Sequence, residues 1–179
     1  MSKETIPTKE RRVIQLTALH PRDLVDSIWN GQRDFSYRVL EYPESLGSYV
    51  DSNIGSINQY VEQNEDELSR RPLGFQRSIL AGLYAPGIKL PFTKFTLADL
   101  TGADLSDADL RRTVFTAANL ENVSFYGADL TGADLRSVVG LKGDCDVKDA
   151  KYNGIVIKPK QVELFRGFGL DLRRIDVRE

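Results

Sequence analysis

The 179 residues contain one cysteine, one histidine, one methionine and one tryptophan. A lone Cys145 excludes an internal disulfide and suits a reducing interior. A lone His20, beside Pro21, leaves no second imidazole for a zinc site of the usual ligand types. Nothing in the spacing brings His20 to Cys145 as a base and nucleophile. No apolar run approaches the length of a membrane helix, and the opening MSKETIPTKERR lacks the apolar centre of a secretory signal. The expectation is a cytoplasmic chain with no membrane association. Neither sign of charge is in excess: Lys+Arg is 24 and Asp+Glu 26, a net charge of −2. That profile does not support direct nucleic-acid binding.

Motifs of catalysis are missing too. There is no phosphate loop and no G-x-S-x-G. Gly167-Phe168-Gly169 lacks the third glycine of a dinucleotide fingerprint. Asp144, Asp146 and Asp149 lack the central glycine and closing glutamate of a calcium loop. No catalytic, cofactor-binding or metal-ligating residue is assigned, and no enzyme is expected.

What is present is a repeat. Leu or Phe recurs every five residues, at Leu90, Phe95, Leu100, Leu105, Leu110, Phe115, Leu120, Phe125, Leu130 and Leu135. Two positions earlier stands a smaller residue, such as Ala98, Ala103, Ala108, Ala118, Ala128 and Ala133. Between the two lies a short polar residue, usually Asp or Asn. A period of five fits neither one helix nor one flat strand. Read locally, Ala-Asp-Leu is in-out-in, the alternation of an extended strand. The following Thr, Ser, Gly or Asn suits a bend. Short strands separated by regular bends stack into a solenoid.

These A-(D/N)-L-x-x units resemble the pentapeptide-repeat family, most strongly over residues 88–138. The resemblance implies a right-handed, four-sided β-helix with about twenty residues per coil, here about three to four coils. Residues twenty apart then stack on one side: Phe95 with Phe115 and Leu135, Leu90 with Leu110 and Leu130, Leu105 with Phe125. The leucines fill a lumen and the alanines make room. The aspartates bond backbone N–H groups at the bends. Asp109 falls over Asp129, a like-charge pair.

The whole fold is expected to be mainly β, with an α-helical N-terminal part. Residues 1–77 form a helical and irregular capping region, 78–157 the β-helix, and 158–179 a C-terminal cap or dimerisation tail. Pro21 opens a helix whose apolar face is Leu24, Val25, Ile28 and Trp29, stopped at Asn30-Gly31. Arg33-Asp34-Phe35-Ser36 looks like a degenerate repeat unit, and Pro43, Ser45 and Gly47 mark a loop. Ser52 is read as the N-cap of a helix through about Arg70, strongly acidic from Glu62 to Glu67. After Leu135 the pattern restarts two residues out of phase, at Cys145-Asp146-Val147, Ala150-Lys151-Tyr152 and Ile155-Val156-Ile157. A loop at Leu141–Asp144 absorbs the shift, and Cys145 takes the inward place of an alanine. Both open ends of a solenoid must be covered. Residues 13–70 are expected at one end and 158–178 at the other. Phe165, Phe168 and Leu170 serve either as that cap or as a homodimer contact.

Three functions compete. The first is a non-enzymatic scaffold for an unidentified protein partner, with Arg111, Arg112, Glu121 and Tyr126 as contact residues because they depart from the plain repeat. The second is DNA mimicry: within the resembling family, the quinolone-resistance proteins resemble duplex DNA and bind gyrase, a type II topoisomerase. Mimicry asks for long acidic faces, whereas this regular section is short and the net charge slight. The third is an accessory domain of an enzyme, for which no catalytic constellation speaks.

Overall fold

A computed structural model of the chain describes residues 17–19, 21–40, 47–142 and 145–179. His20, Pro43, Ser45 and Asp144 therefore lie outside the described residues, and with them the readings placed there.

The chain winds as a four-sided β-helix. Parallel bridges join residues twenty apart, and they define four ladders. Face 1 stacks Lys89, Asp109, Asp129 and Lys151; face 2 stacks Asp34, Gly74, Lys94, Val114, Asp134 and Val156. Face 3 stacks Val39, Ile79, Asp99, Asn119 and Val139; face 4 stacks Tyr84, Asp104, Ser124 and Asp146. Each side is so short that its pairing is a single bridge, and the neighbouring residues point inward. Leu100, Leu105, Leu110, Leu120 and the alanines two positions before them are at most 1% exposed. Phe35, Phe75, Phe95 and Phe115 form one column of stacked rings, 5.2–5.5 Å between centroids. Phe125 meets Phe115 edge-on.

The corners follow one scheme. The N–H of the small inward residue that opens each side bonds the carbonyl of the inward residue three before it, as Ala98 does with Phe95 at 2.9 Å. The residue just before it has positive φ, whether glycine (Gly102, Gly132) or not (Leu97, Arg112, Ala117). The aspartates hold these corners as expected. Oδ1 of Asp99, Asp104, Asp109, Asp129 and Asp134 each accepts the N–H two residues on, at 3.0–3.2 Å.

The degenerate unit at Asp34 belongs to the coil: Asp34 bridges Gly74, and Phe35 is buried on Phe75. The ladders thus reach back beyond residue 78. That spacing is forty rather than twenty because helix α2 (Gly47–Arg70) is inserted between one coil and the next. The helix begins at Gly47, which the sequence reading gives to a loop, and not at Ser52, so Ser52 lies within it and is no cap. At the other end the register is twenty at Asn119↔Val139 and twenty-two at Ser124↔Asp146, so the two extra residues fall where the sequence placed them. Cys145 is buried in the alanine place and donates to the Leu120 carbonyl.

Both ends are covered. Strand β1 (Thr17–Leu19) pairs in parallel with β2 (Arg38–Leu40) and extends face 3 by one rung. Helix α1 (Pro21–Trp29) and α2 lay Leu24, Ile28 and Ile57 against Phe75, Leu80 and Leu90. Trp29 packs edge-on to Tyr60. At the C-terminal end β3 (Val156–Ile157) pairs with β4 (Asp176–Val177), one more rung of face 2. Between them helix α3 (Val162–Gly167) and the residues after it set Phe165, Phe168 and Leu170 over Leu130, Leu135 and Ile155. Phe165 is buried within the chain, and Phe168 and Leu170 are partly buried.

Candidate functional site

The lumen is filled with side chains, so whatever the coil does, it does from outside. The four residues singled out for departing from the repeat do not converge. Arg111 and Arg112 form the corner between faces 1 and 2, Glu121 the corner between 3 and 4, and Tyr126 the corner between 4 and 1. Three corners of a quadrilateral share no flat surface.

The arginine pair is occupied within the chain. Arg111 bonds Asp109 through Nε and Nη2, and Nη2 also reaches Glu65 of α2 at 3.2 Å. The bond to Asp109 holds this guanidinium more firmly protonated than usual. Arg112 lies over the Phe92 ring, 5.9 Å from its centroid, in a groove lined by Glu62, Glu65 and Asp66. These contacts belong to a row that fastens α2 along face 1. Asn58 donates to the Gly87 carbonyl and accepts from the Lys89 N–H, and Glu62 pairs with Lys89. Deeper, Arg33 joins Tyr60 and Glu67 of α2 to the first coil. The acidic run Glu62–Glu67 is therefore partly a set of internal anchors. Tyr126 stands under Lys148, and Glu121 lies 4.0 Å from Lys142.

The stacked aspartates of faces 1 and 2 are neutralised in place. Asp109 holds Arg111, Asp129 holds Lys151 at 3.6 Å, and Asp134 holds Arg136 at 2.7 Å. Burial works to raise the carboxyls of Asp129 and Asp134, but the bonds from Thr131 and from Arg136 outweigh it, and both end below the ordinary carboxylate value. Faces 3 and 4 differ. Asp99, Asp104 and Asp146 accept only from neighbouring hydroxyl, amide and N–H groups, and none has a cation within 4.0 Å among the described residues. On the same two faces and their corners stand Ile79, Tyr84, Leu97, Tyr126 and Val139, each 38–56% exposed. Sequence reading singled out Tyr126 but missed Ile79, Tyr84, Leu97 and Val139, because each occupies an ordinary outward place of the repeat. A hydropathy scan of the outward positions alone would have found them.

No group of three or more His, Cys, Asp or Glu is placed to hold a metal among the described residues. No helix among them is long and apolar enough to cross a membrane.

A stack of five-residue sides with twenty-residue register defines a repeat β-helix of quadrilateral section. Residues 90–137 match the Pentapeptide repeats family in eight copies, and the chain carries that family's repeats through this segment. A pentapeptide repeat protein of the Arabidopsis thaliana thylakoid lumen is 34% identical over 52% of this chain and 65% of its own, with a TM-score of 0.38. One from the cyanobacterium Cyanothece is 23% identical over 48% of this chain and 60% of its own, with a TM-score of 0.34. A third, from Nostoc, is 20% identical over 66% of this chain and 95% of its own, with a TM-score of 0.33. The chain thus spans less than two thirds of the length of the first two. No curated protein sequence matches it.

Proposed function

We propose that the protein is a non-enzymatic scaffold that binds a protein partner on the outside of its coil. On this reading the right-handed coil, about three to four turns between the caps, is a rigid spacer that presents flat faces at fixed spacing. A reducing, cytoplasmic setting suits the single buried Cys145. The observation that carries the reading is the distribution of exposed apolar side chains. Of the seven large apolar side chains exposed among the described residues, Ile79, Tyr84, Leu97, Tyr126 and Val139 lie on faces 3 and 4 and their corners, while Trp29 is on α1 and Val177 on β4, and α2 lies along face 1. Five exposed apolar side chains on the sides that α2 leaves uncovered offer contact area to a partner. Arg111 and Arg112, answered by Glu65 and Phe92, drop out of the contact set, whereas Glu121 and Tyr126 flank face 4 and stay in it.

DNA mimicry is less well supported. Face 3 runs Asp99, Asn119, Val139 and face 4 runs Asp104, Ser124, Asp146, so no unbroken acidic ladder spans either face. Photo-crosslinking in the native host, with a benzophenone side chain at Leu97 or Val139, tests the scaffold reading. Adducts with a discrete protein are expected there and not at Lys94, on face 2. Adducts at neither position would overturn it.

A further inference from the structure

We infer that faces 3 and 4 dock a protein partner whose contact side chains are apolar and cationic. This rests on the scaffold reading and adds the chemistry of the partner.

Two independent features coincide on these faces. The first is exposed apolar surface. Successive rungs lie about 4.8 Å apart, so Ile79, Asp99, Asn119 and Val139 form a row of about 14 Å with an apolar residue at each end. Leu97, at the adjoining corner, is 48% exposed and has φ +60°. A leucine is an unfavourable choice there on both counts, because the left-handed region favours glycine and the site faces water. Gly102 and Gly132 fill the equivalent place at other corners.

The second feature is charge. The chain supplies a cation to Asp109, Asp129 and Asp134 on faces 1 and 2. It supplies none to Asp99, Asp104 or Asp146 among the described residues. Their corner bonds use Oδ1, and Oδ2 of each accepts no hydrogen bond from the described residues. A surface of apolar side chains interspersed with unanswered carboxylates is complementary to apolar and basic groups. It repels nucleic acid and anionic lipid. A second copy of the chain is a poorer match. The arginines of the C-terminal tail are already paired, Arg166 with Glu163, Arg173 and Arg174 with Asp171, and Arg178 with Asp176.

The test uses the full chain and an alternating Leu-Lys decapeptide as probe, with the Leu-Glu decapeptide as control. Calorimetry measures affinity and amide chemical shifts locate the site. The Leu-Lys peptide is expected to perturb the rungs at Ile79, Asp99, Asp104 and Asp146, and binding should weaken as salt is raised. The triple variant Asp99→Asn, Asp104→Asn, Asp146→Asn keeps the Oδ1 acceptor at each corner and is expected to bind about tenfold more weakly. Asp129→Asn, on face 1, should bind as the parent does. The inference is overturned by equal affinity of the triple variant, by equal binding of the Leu-Glu peptide, by perturbation confined to Glu62–Asp66, or by no binding at millimolar peptide. Crosslinks at Leu97 or Val139 that persist in the triple variant would keep the scaffold reading while removing the basic partner. Loss of those crosslinks in the triple variant alone would support both, and absence of crosslinks in the parent chain would remove both.

Discussion

Gly140 sits at φ +77°, and a Cβ built on it would come within 2.6 Å of the Glu121 backbone N and of Asn119 Oδ1. Gly102 has a similar φ of +67° but open space around it. The pair separates conformational cost from steric cost. Gly102→Ala should destabilise by about 1 kcal/mol, the left-handed penalty alone. Gly140→Ala should cost about 2–4 kcal/mol, because backbone must also move. Urea midpoints of the two variants check the difference, and equal shifts would contradict it. The lumen sets the opposite limit. Ala108 is fully buried between stacked sides, so Ala108→Leu should overfill it, at roughly 1–3 kcal/mol or more. The aspartates of faces 1 and 2 add a pH dependence. The folded-state carboxyls of Asp129 and Asp134 are depressed, so their stabilisation is present above the unfolded carboxylate value near 4 and is lost as pH falls through the lower folded value. Urea midpoints followed from about pH 6 to about pH 2.5 should fall, and fall less in Asp134→Asn. Equal slopes for parent and variant would show that Asp134 carries none of this dependence.

At the scale of elements the recurring problem is how a ladder stops. A β-helix leaves unpaired N–H and C=O groups at both ends, and here single amide side chains answer several of them. At the N-terminal end Asn58 spans the Gly87 carbonyl and the Lys89 N–H, and Gln32 donates to the Asp34 carbonyl. At the C-terminal end Gln161, 6% exposed, accepts from the N–H groups of Ser137 and Lys158 and donates to the Leu135 carbonyl. Each amide stands in for the peptide group of a missing coil. Gln161→Leu should cost about 1–3 kcal/mol, because the buried partners lose their bonds, and Gln161→Glu should recover part of it at the two N–H groups only. Hydrogen exchange at Ser137 checks this directly: its amide should exchange faster in the leucine variant and stay protected in the glutamate. None of these caps was legible in the sequence. The in-out-in repeat was, because every rung states it again. So was the two-residue slip, since Cys145-Asp146-Val147 keeps the local pattern while losing phase. The rung at Leu73-Gly74-Phe75 was not, having glycine in place of the aspartate. Asn58 and Gln161 act once each, across 29 and 26 residues, and no period announces them. The internal contacts of Arg111 and Arg112 were not legible for a related reason: Glu65 of α2 and Phe92 are partners that a local pattern does not show.

The whole molecule is a stack whose interior is continuous from Ile28 to Phe165, so its integrity depends on what covers the two ends. The tail is the simpler end to test. Phe165 closes a pocket whose walls include Phe125, Leu130 and Leu135 and, from the last rung of the coil, Val147 and Ile155. A charge there faces apolar surface on every side and has no partner to neutralise it. In Phe165→Asp the tail should lift, exposing both the lumen and the edge of β3 that β4 now pairs. Exposed strand edge next to exposed apolar lumen is a template for association. The variant should therefore show a mass that rises with concentration in light scattering, while far-ultraviolet circular dichroism keeps the signal of the coil. Phe165→Leu keeps the apolar plug and should scatter as the parent does. If Phe165→Asp also scattered as the parent, the tail would not be what closes the coil. Its apolar residues would then be free for the alternative considered from sequence, a contact between two copies of the chain.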